Sequence, residues 1–182
     1  MSTNWLSAEA FSVACAALPL VSLDLCLTRP GPSGPELLLG LRANPPARGF
    51  WFTPGGRVRK NEPMASAFSR LARDELGLPG HWLQRAVLMG AWDQFYPDSA
   101  FDPAVSTHYV NLPHWLDLSA QEAATLALPC SGGDGGGTGT GTARYAGQHA
   151  QWRWQSLAKA AIDPQVHAYA RAYAEWGLGR GR

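Results

Sequence analysis

The chain has 182 residues and a formal net charge of +1 at pH 7, and it is 46% hydrophobic and 16% charged. This length and composition suit one domain with a sizeable core, and they exclude a disordered chain. The near-neutral charge provides no basic surface, so we expect no nucleic-acid partner and predict that a few placed groups hold any bound anion. We predict a single domain over residues 1–182.

The cysteines and the apolar N-terminal run indicate the cellular compartment of the protein. The three cysteines match no metal or redox spacing, and their odd number argues against a disulfide framework. The apolar run of residues 11–27 follows no lysine or arginine, and Pro19 and Asp24 interrupt it. A helix followed by a strand is therefore favoured over a signal peptide, and we expect a cytoplasmic protein without a membrane partner.

In chain order, helical and strand patterns are interspersed. Ser7 caps a short helix, and residues 20–27 and 36–42 read as a hairpin around the turn PGPSGP. The later predicted elements are a helix from Pro63 to Leu76 that Gly77 ends, strands within residues 83–96, 106–116 and 148–157, and a helix from Asp163 to about Gly177. This order predicts an α/β (α+β) fold in which helices sandwich a mixed β-sheet.

Two segments are expected to lie outside the packed core. Residues 131–142, SGGDGGGTGTGT, form a low-complexity tract that cannot pack a core, so a mobile loop is expected. Residues 178–182 should fray at the end of the last helix.

The stretch TPGGRVRKNEPMASAFSRLARDELGL carries glycines, acids and an arginine at fixed intervals. Gly56 is followed after five residues by Glu62, Arg70 comes after seven more, and Glu75 is five positions further on. Carboxylates three and four residues apart share one helix face and can hold Mg²⁺ against a diphosphate, and a glycine turn lets backbone carbonyls approach the same ion. This spacing resembles the Nudix hydrolase box.

The box departs from the common pattern at one helix position. Its three carboxylate positions are Leu71, Asp74 and Glu75 here, so the first is apolar and a multi-metal cluster is not expected. Leucine after the arginine resembles the GDP-mannose mannosyl hydrolase branch of the Nudix superfamily. Segments matching that branch fall in the expected order, namely LVSLD, LLLGLRANPPARGFWFTPGGRV, AFSRL, DELGL, QFY, THYV and the pairs QH and RW.

The resemblance implies a reaction at carbon instead of phosphorus. The branch is known for attack of water on the anomeric carbon of a sugar, which displaces GDP with inversion. The chain is thus expected to be a homodimeric, Mg²⁺-dependent hydrolase that converts GDP-mannose or GDP-glucose to GDP and free sugar, with Mn²⁺ as the alternative ion. Because water attacks carbon, the metal need only neutralise the leaving diphosphate.

The resemblance also implies a metal site and a base. Glu75, the Gly55 carbonyl and the Gln148 amide oxygen are expected to bind Mg²⁺, and Asp74 is a further candidate ligand. His149 aligns with the general base, a role that an imidazole with a near-neutral pKa can fill. Without the resemblance, a lone glutamine or histidine is more often an ordinary surface residue.

Three arginines align with positions near the diphosphate. Arg57 is expected to bind it directly, because a guanidinium matches phosphate oxygens and stabilises departing GDP. Arg42 is expected to bind substrate as well. For Arg70, substrate binding and a buried ion pair to Glu62 are equally favoured.

Three further residues are expected on the substrate. Asp24 aligns with a catalytic carboxylate near the sugar, and Tyr109 with a hydroxyl near the phosphates. Asp24 interrupts an apolar strand, so it needs a function, a partner or an edge position that faces water. Gln94 stands where the branch has a histidine beside the sugar, so the sugar contacts are expected to differ.

Two other functions remain open from the sequence. A conventional Nudix pyrophosphatase would cleave a nucleoside diphosphate derivative at phosphorus, and Asp74 supports it by restoring a second carboxylate. A non-catalytic nucleotide-sugar binding protein is favoured if the glycine tract prevents loop closure.

Overall fold

The structure is a computed structural model that describes residues 6–78, 80–128 and 148–180. The glycine tract 131–142 lies outside these ranges. The strands are β1 Leu20–Arg29, β2 Glu36–Arg42, β3 Trp51–Phe52, β4 Gly55–Arg57, β5 Val87–Leu88, β6 Trp92–Tyr96, β7 Thr107–Asn111, β8 His114–Asp117 and β9 His149–Ser156. The helices are α1 Ala8–Ala17, α2 Met64–Leu76, α3 Ala120–Ala124, α4 Leu157–Ile162, α5 Ala168–Gly179 and a 3₁₀ helix Gly80–Arg85.

Strand β1 is the centre of a mixed sheet. It pairs antiparallel with β2 and β4 and parallel with β7 and β8, and the longest path through the sheet is β3-β2-β1-β7-β6. Strand β9 pairs antiparallel with β2. This arrangement confirms the predicted α/β (α+β) mixed sheet.

The core has two parts because alternate residues of β1 point to opposite faces of the sheet. Leu23, Leu25 and Leu27 pack with the apolar side of α2, and Cys26 packs with α4 and α5. The sheet is thus sandwiched between helices, as predicted. No helix in the described ranges is long and apolar enough to cross a membrane.

Helix α2 begins and ends close to where the sequence places it. Pro63 precedes its first residue, and Gly77 takes the left-handed conformation, with φ of 66°, that lets its N–H bond the carbonyls of Ala72 and Arg73. Phe68 and Leu71 are buried in the core on one side of this helix. The sheet and the turn before α2 therefore hold the glycines and acids of the box against each other.

Several element predictions were wrong in detail. Residues 83–85 belong to the 3₁₀ helix instead of a strand, and Pro113 falls between β7 and β8, where it cannot donate to a ladder. Helix α5 begins at Ala168, because the Asp163 carboxylate accepts the Gln165 N–H in a preceding turn and His167 caps the helix. The helix also continues through residues 178 and 179. The short helices α3 and α4 were not predicted.

Candidate active site

A cavity of about 470 Å³ opens where β1, β2, β4, β6 and β7 approach one another. Most of the side chains singled out from the sequence line it, although they come from distant parts of the chain. These are Asp24, Arg42, Gly55, Arg57, Gln94, Tyr109 and Gln148. Glu75, His149, Arg70 and Asp74 do not line it. This cavity is the candidate active site.

Gly55 and Glu75 meet at one end of the site. Glu75 lies on the last turn of α2 and is 3% exposed, and within the described ranges no group hydrogen-bonds its Oε1. Burial raises the pKa of Glu75 to about 8, which Arg42 and a backbone hydrogen bond from Gly55 oppose. A side chain on Gly55 would collide with the Leu23 carbonyl and lie 2.5 Å from Asp24 Oδ1, so the close approach requires glycine.

This donor set fits one hard cation. An unpartnered buried carboxylate oxygen beside a glycine backbone is a ligand of the kind that Mg²⁺ prefers. In the part of the chain that the structure describes, no three His, Cys, Asp or Glu side chains converge to chelate a metal. Oxygens of a bound diphosphate would have to complete the coordination.

Leu71 explains why the acids of the box do not form a cluster. Its side chain is fully buried in the core, and a β-carbon on Gly56 would lie 2.9 Å from its Cδ2. Asp74 pairs with the exposed Arg73 at 2.9 Å, although its charge still contributes to the raised pKa of Glu75. Glu75 is therefore the only one of the three box positions, Leu71, Asp74 and Glu75, that combines burial with an unused oxygen.

Gln148 lies at the cavity with its amide oxygen engaged. The Arg42 Nη1 donates to Gln148 Oε1 at 2.6 Å, at the point where the pairing of β2 with β9 shifts register. Gln148 would have to exchange this hydrogen bond for a bond to a cation before it could act as a metal ligand.

His149 lies behind the cavity, next to Glu75. Its Nδ1 is 3.7 Å from Glu75 Oε2, and each side chain is 2% exposed. The imidazole packs on Trp152 and fills the space above Gly40. Burial, and then the charge of Arg42, lower the pKa of His149 to about 3, so the ring is neutral.

Asp24 is a buried carboxylate in the wall of the cavity. Its Oδ2 accepts hydrogen bonds from Tyr173 OH at 2.8 Å, Asn111 Nδ2 at 2.9 Å and Gln94 Nε2 at 3.1 Å. Burial raises its pKa to about 6, and these three donors oppose the shift. The alternative of an edge position facing water was wrong, because β1 is central and Asp24 is 6% exposed.

Two of these partners were missed from the sequence. Asn111 is fully buried in β7. In the sequence, a polar residue after the apolar Val110 is only a weak signal for a buried polar network. Tyr173 lies 149 positions from Asp24 on α5 and looks like an ordinary helix core residue. Only the fold brings them together.

The arginines and Tyr109 divide into two groups. Arg57 lines the cavity with its guanidinium 4.9 Å from the centre of the Phe11 ring, and Tyr109 lines the same wall. Arg70 instead bonds Glu62 at 2.7 and 2.8 Å and the Arg57 carbonyl at 3.0 Å. Of its two expected roles, this geometry supports the ion pair.

Comparison with known proteins identifies the family. The sequence model of the NUDIX domain matches residues 21–176. The chain belongs to the Nudix family. Nudix proteins are hydrolases that generally use Mg²⁺ or Mn²⁺ and act on nucleotide derivatives.

Among curated relatives of this Nudix protein is the low-salt glycan biosynthesis protein Agl8 of Haloferax volcanii. The two are 42% identical over 95 residues, which cover 52% of this chain and 56% of the relative. The match thus spans little more than half of the relative's length.

Solved structures share the Nudix fold. The MutT NUDIX hydrolase of Burkholderia pseudomallei is 23% identical with a TM-score of 0.59, and the match covers 87% of this chain and 97% of that one. The NUDIX domain of Shewanella oneidensis NrtR, solved with ADP ribose, is 15% identical with a TM-score of 0.62 and covers 98% and 100%. A MutT/nudix protein of Enterococcus faecalis, at 19% identity and a TM-score of 0.50, is matched over 75% of this chain and 43% of its own length.

Proposed function

We propose that this Nudix protein is an Mg²⁺-dependent glycosyl hydrolase of GDP-sugars. Water attacks the anomeric carbon of GDP-mannose or GDP-glucose with inversion, and GDP and free sugar are released. The observation that carries the proposal is Leu71, a fully buried core residue at the first carboxylate position of the box. Since Asp74 pairs with Arg73, Glu75 is the box carboxylate proposed to hold the metal, and a single such ligand suits a leaving-group role better than activation of a nucleophile at phosphorus.

Three groups would hold the cation. Glu75, the Gly55 carbonyl and Gln148, once released from Arg42, would bind Mg²⁺, which supplies charge neutralisation of the departing diphosphate when bound. Arg57 at the cavity wall would bind the same diphosphate and stabilise the charge that develops on GDP. Tyr109, which also lines the cavity, would donate its hydroxyl to a phosphate oxygen.

The sugar would lie against Asp24, within reach of a water that His149 activates. Asp24 faces the cavity and can accept a hydrogen bond from a sugar hydroxyl. His149 would take the proton from the attacking water. Because the ring is buried against Glu75, this role requires that substrate binding open a path for water to His149.

The Haloferax volcanii relative supports a sugar-nucleotide substrate, because it is named for glycan biosynthesis. The NrtR domain, solved with ADP ribose, shows that the fold accommodates a ribose-containing diphosphate. Both observations support the class of substrate without selecting the base or the sugar.

Asp74 favours a second candidate, a conventional Nudix pyrophosphatase. Its carboxylate is close enough to Glu75 to raise the pKa of that residue, so a small rearrangement away from Arg73 could add a second metal contact. Such an enzyme would release a nucleoside monophosphate and a sugar phosphate.

Product analysis distinguishes these functions. The protein is incubated with Mg²⁺ and a panel of GDP-, ADP- and UDP-sugars, and the nucleotides and sugars are separated by chromatography. GDP and free sugar support the proposal, whereas GMP and sugar phosphate support the pyrophosphatase. Binding of GDP-mannose with no turnover in Mg²⁺ or Mn²⁺ would instead support a non-catalytic binding protein.

A further inference from the structure

Four side chains form a closed polar cluster beneath the cavity. The Tyr173 hydroxyl donates to Asp24 Oδ2 and accepts from Gln94 Nε2 at 2.5 Å and Asn111 Nδ2 at 2.6 Å. The same two amide nitrogens also donate to Asp24 Oδ2. Because Asp24 Oδ2 and the Tyr173 hydroxyl lie 2.8 Å apart, each amide nitrogen is within hydrogen-bond distance of both oxygens.

The amide oxygens of Gln94 and Asn111 also accept hydrogen bonds. Tyr96 OH donates to Gln94 Oε1 at 2.9 Å, and Ser22 Oγ donates to Asn111 Oδ1 at 2.8 Å. These bonds orient both amides so that their NH₂ groups point at Asp24 and Tyr173. A buried network with this many hydrogen bonds restrains its members to one geometry.

The two carboxylate oxygens of Asp24 differ in their hydrogen bonds. Oδ2 accepts three hydrogen bonds, whereas no group in the described ranges donates to Oδ1, which lies beside Gly55. Because Asp24 lines the cavity, Oδ1 is the acceptor left for a ligand. A carboxylate oxygen so held is suited to a hydroxyl donor, and not to an anionic group.

We infer that Tyr173 is a positioning residue that, with Gln94 and Asn111, holds Asp24 by Oδ2 and so presents Oδ1 to a hydroxyl of the sugar. This inference rests on the proposed function and deepens it. It assigns Gln94 a role different from the one expected from the sequence, since its amide nitrogen and oxygen both hydrogen-bond within the cluster.

The C-terminal helix thereby becomes part of the site. Tyr173 contacts Trp92 of β6 edge to face at 5.1 Å, and Tyr169, one turn earlier, accepts a hydrogen bond from the Phe95 N–H at 2.6 Å. Both tyrosines fasten α5 to β6, but only Tyr173 bonds Asp24. Tyr169 is therefore a matched control on the same helix.

The test compares Tyr173→Phe with Tyr169→Phe in the full chain. We expect Y173F to lower kcat/KM for GDP-mannose about tenfold to a hundredfold and to leave the inhibition constant of GDP within twofold. Y169F should leave both within twofold. A Y173F enzyme with wild-type kcat/KM, or one that loses GDP affinity in parallel, would overturn the inference.

A double-mutant cycle tests the route through Asp24. Because Tyr173 acts on Oδ2, Y173F should have no further effect in an Asp24→Asn background. Additive losses would show that Tyr173 acts elsewhere. If Y173F does not fold, as judged by circular dichroism, Asn111→Ala removes another donor without altering α5 and should give the same pattern.

Failure of the proposed function has a different signature. If no GDP-sugar is turned over, affinities of GDP-mannose and GDP are measured by calorimetry for wild type and Y173F. A wild type that binds GDP-mannose at least tenfold more tightly than GDP, and a Y173F variant that lacks this preference, would support the positioning role. The same ratio of the two affinities in both proteins would overturn it.

Discussion

Nδ1 of His149 lies 3.7 Å from Oε2 of Glu75, and both side chains are buried. The residue expected to accept a proton from water thus contacts the residue expected to hold Mg²⁺. The contact joins β9 to α2 and brings the two chemical roles into one small region. Because the two residues have different expected roles, substitution of Glu75 should act mainly on metal dependence and substitution of His149 mainly on the chemical step.

For His149, we expect His149→Gln to lower kcat by about two to four orders of magnitude, since a general base contributes on that scale. Glutamine keeps the volume and a polar end, so the packing on Trp152 is retained. Steady-state kinetics with GDP-mannose measure the effect, and His108→Gln, at a half-exposed position outside the cavity lining, is the control. An unchanged kcat would remove His149 from the role of base.

For the metal site, Glu75→Gln and Asp74→Asn form a matched pair of neighbouring carboxylates. We expect E75Q to lower kcat/KM about a hundredfold or more and to raise the Mg²⁺ concentration needed for half-maximal activity, because Glu75 Oε1 is buried without a hydrogen-bond partner in the described residues, whereas Asp74 pairs with Arg73. D74N should stay within about threefold of wild type. Equal losses in both variants would favour the pyrophosphatase.

Arg70 is expected to act on stability more than on chemistry. Arg70→Met removes a buried pair, with side chains 8% and 14% exposed, and leaves the Glu62 carboxylate uncompensated. We expect a loss of about 3 kcal/mol in the free energy of unfolding, measured by urea titration. Arg73→Met, at a position 65% exposed, should change it by less than about 0.5 kcal/mol. Similar losses in both variants would argue against the anchoring role.

His167 should make the fold sensitive to acid. Burial, then the charges of Arg171 and Arg42, lower its pKa to about 4, so the folded state binds the proton less readily than the unfolded chain. The stability this provides is present above about pH 6.5 and is lost as pH falls toward 4. We expect the wild type to lose roughly 2 kcal/mol more than His167→Gln between pH 7.5 and 4.5, allowing for partial exposure. Parallel losses would contradict this assignment.

Local signals in the sequence predicted the box helix well. Pro63 and Gly77 bound α2 because a proline suits a helix start and a glycine accepts the left-handed turn at its end. Glu75 was predicted as a metal ligand because its spacing from Gly56 and Arg70 resembles the Nudix box, and the structure buries it beside Gly55. Short-range geometry was sufficient to predict the bounds of this helix.

Long-range geometry could not be predicted in the same way. The burial of His149 depends on how β9 pairs with β2, and the partners of Asp24 depend on how α5 packs on β6. The 3₁₀ helix over residues 80–85 also escaped prediction, because its apolar spacing is compatible with a strand. The sequence showed that the charge of Asp24 within an apolar strand needs a partner. One partner is Tyr173, which lies far along the chain.

The central claim is that this protein cleaves the bond between carbon and oxygen, and isotope labelling tests it most directly. GDP-mannose is hydrolysed with Mg²⁺ in ¹⁸O-labelled water, and the products are weighed by mass spectrometry. We expect the label in the free sugar, with unlabelled GDP. Label in a phosphate group would show attack at phosphorus and would contradict the claim.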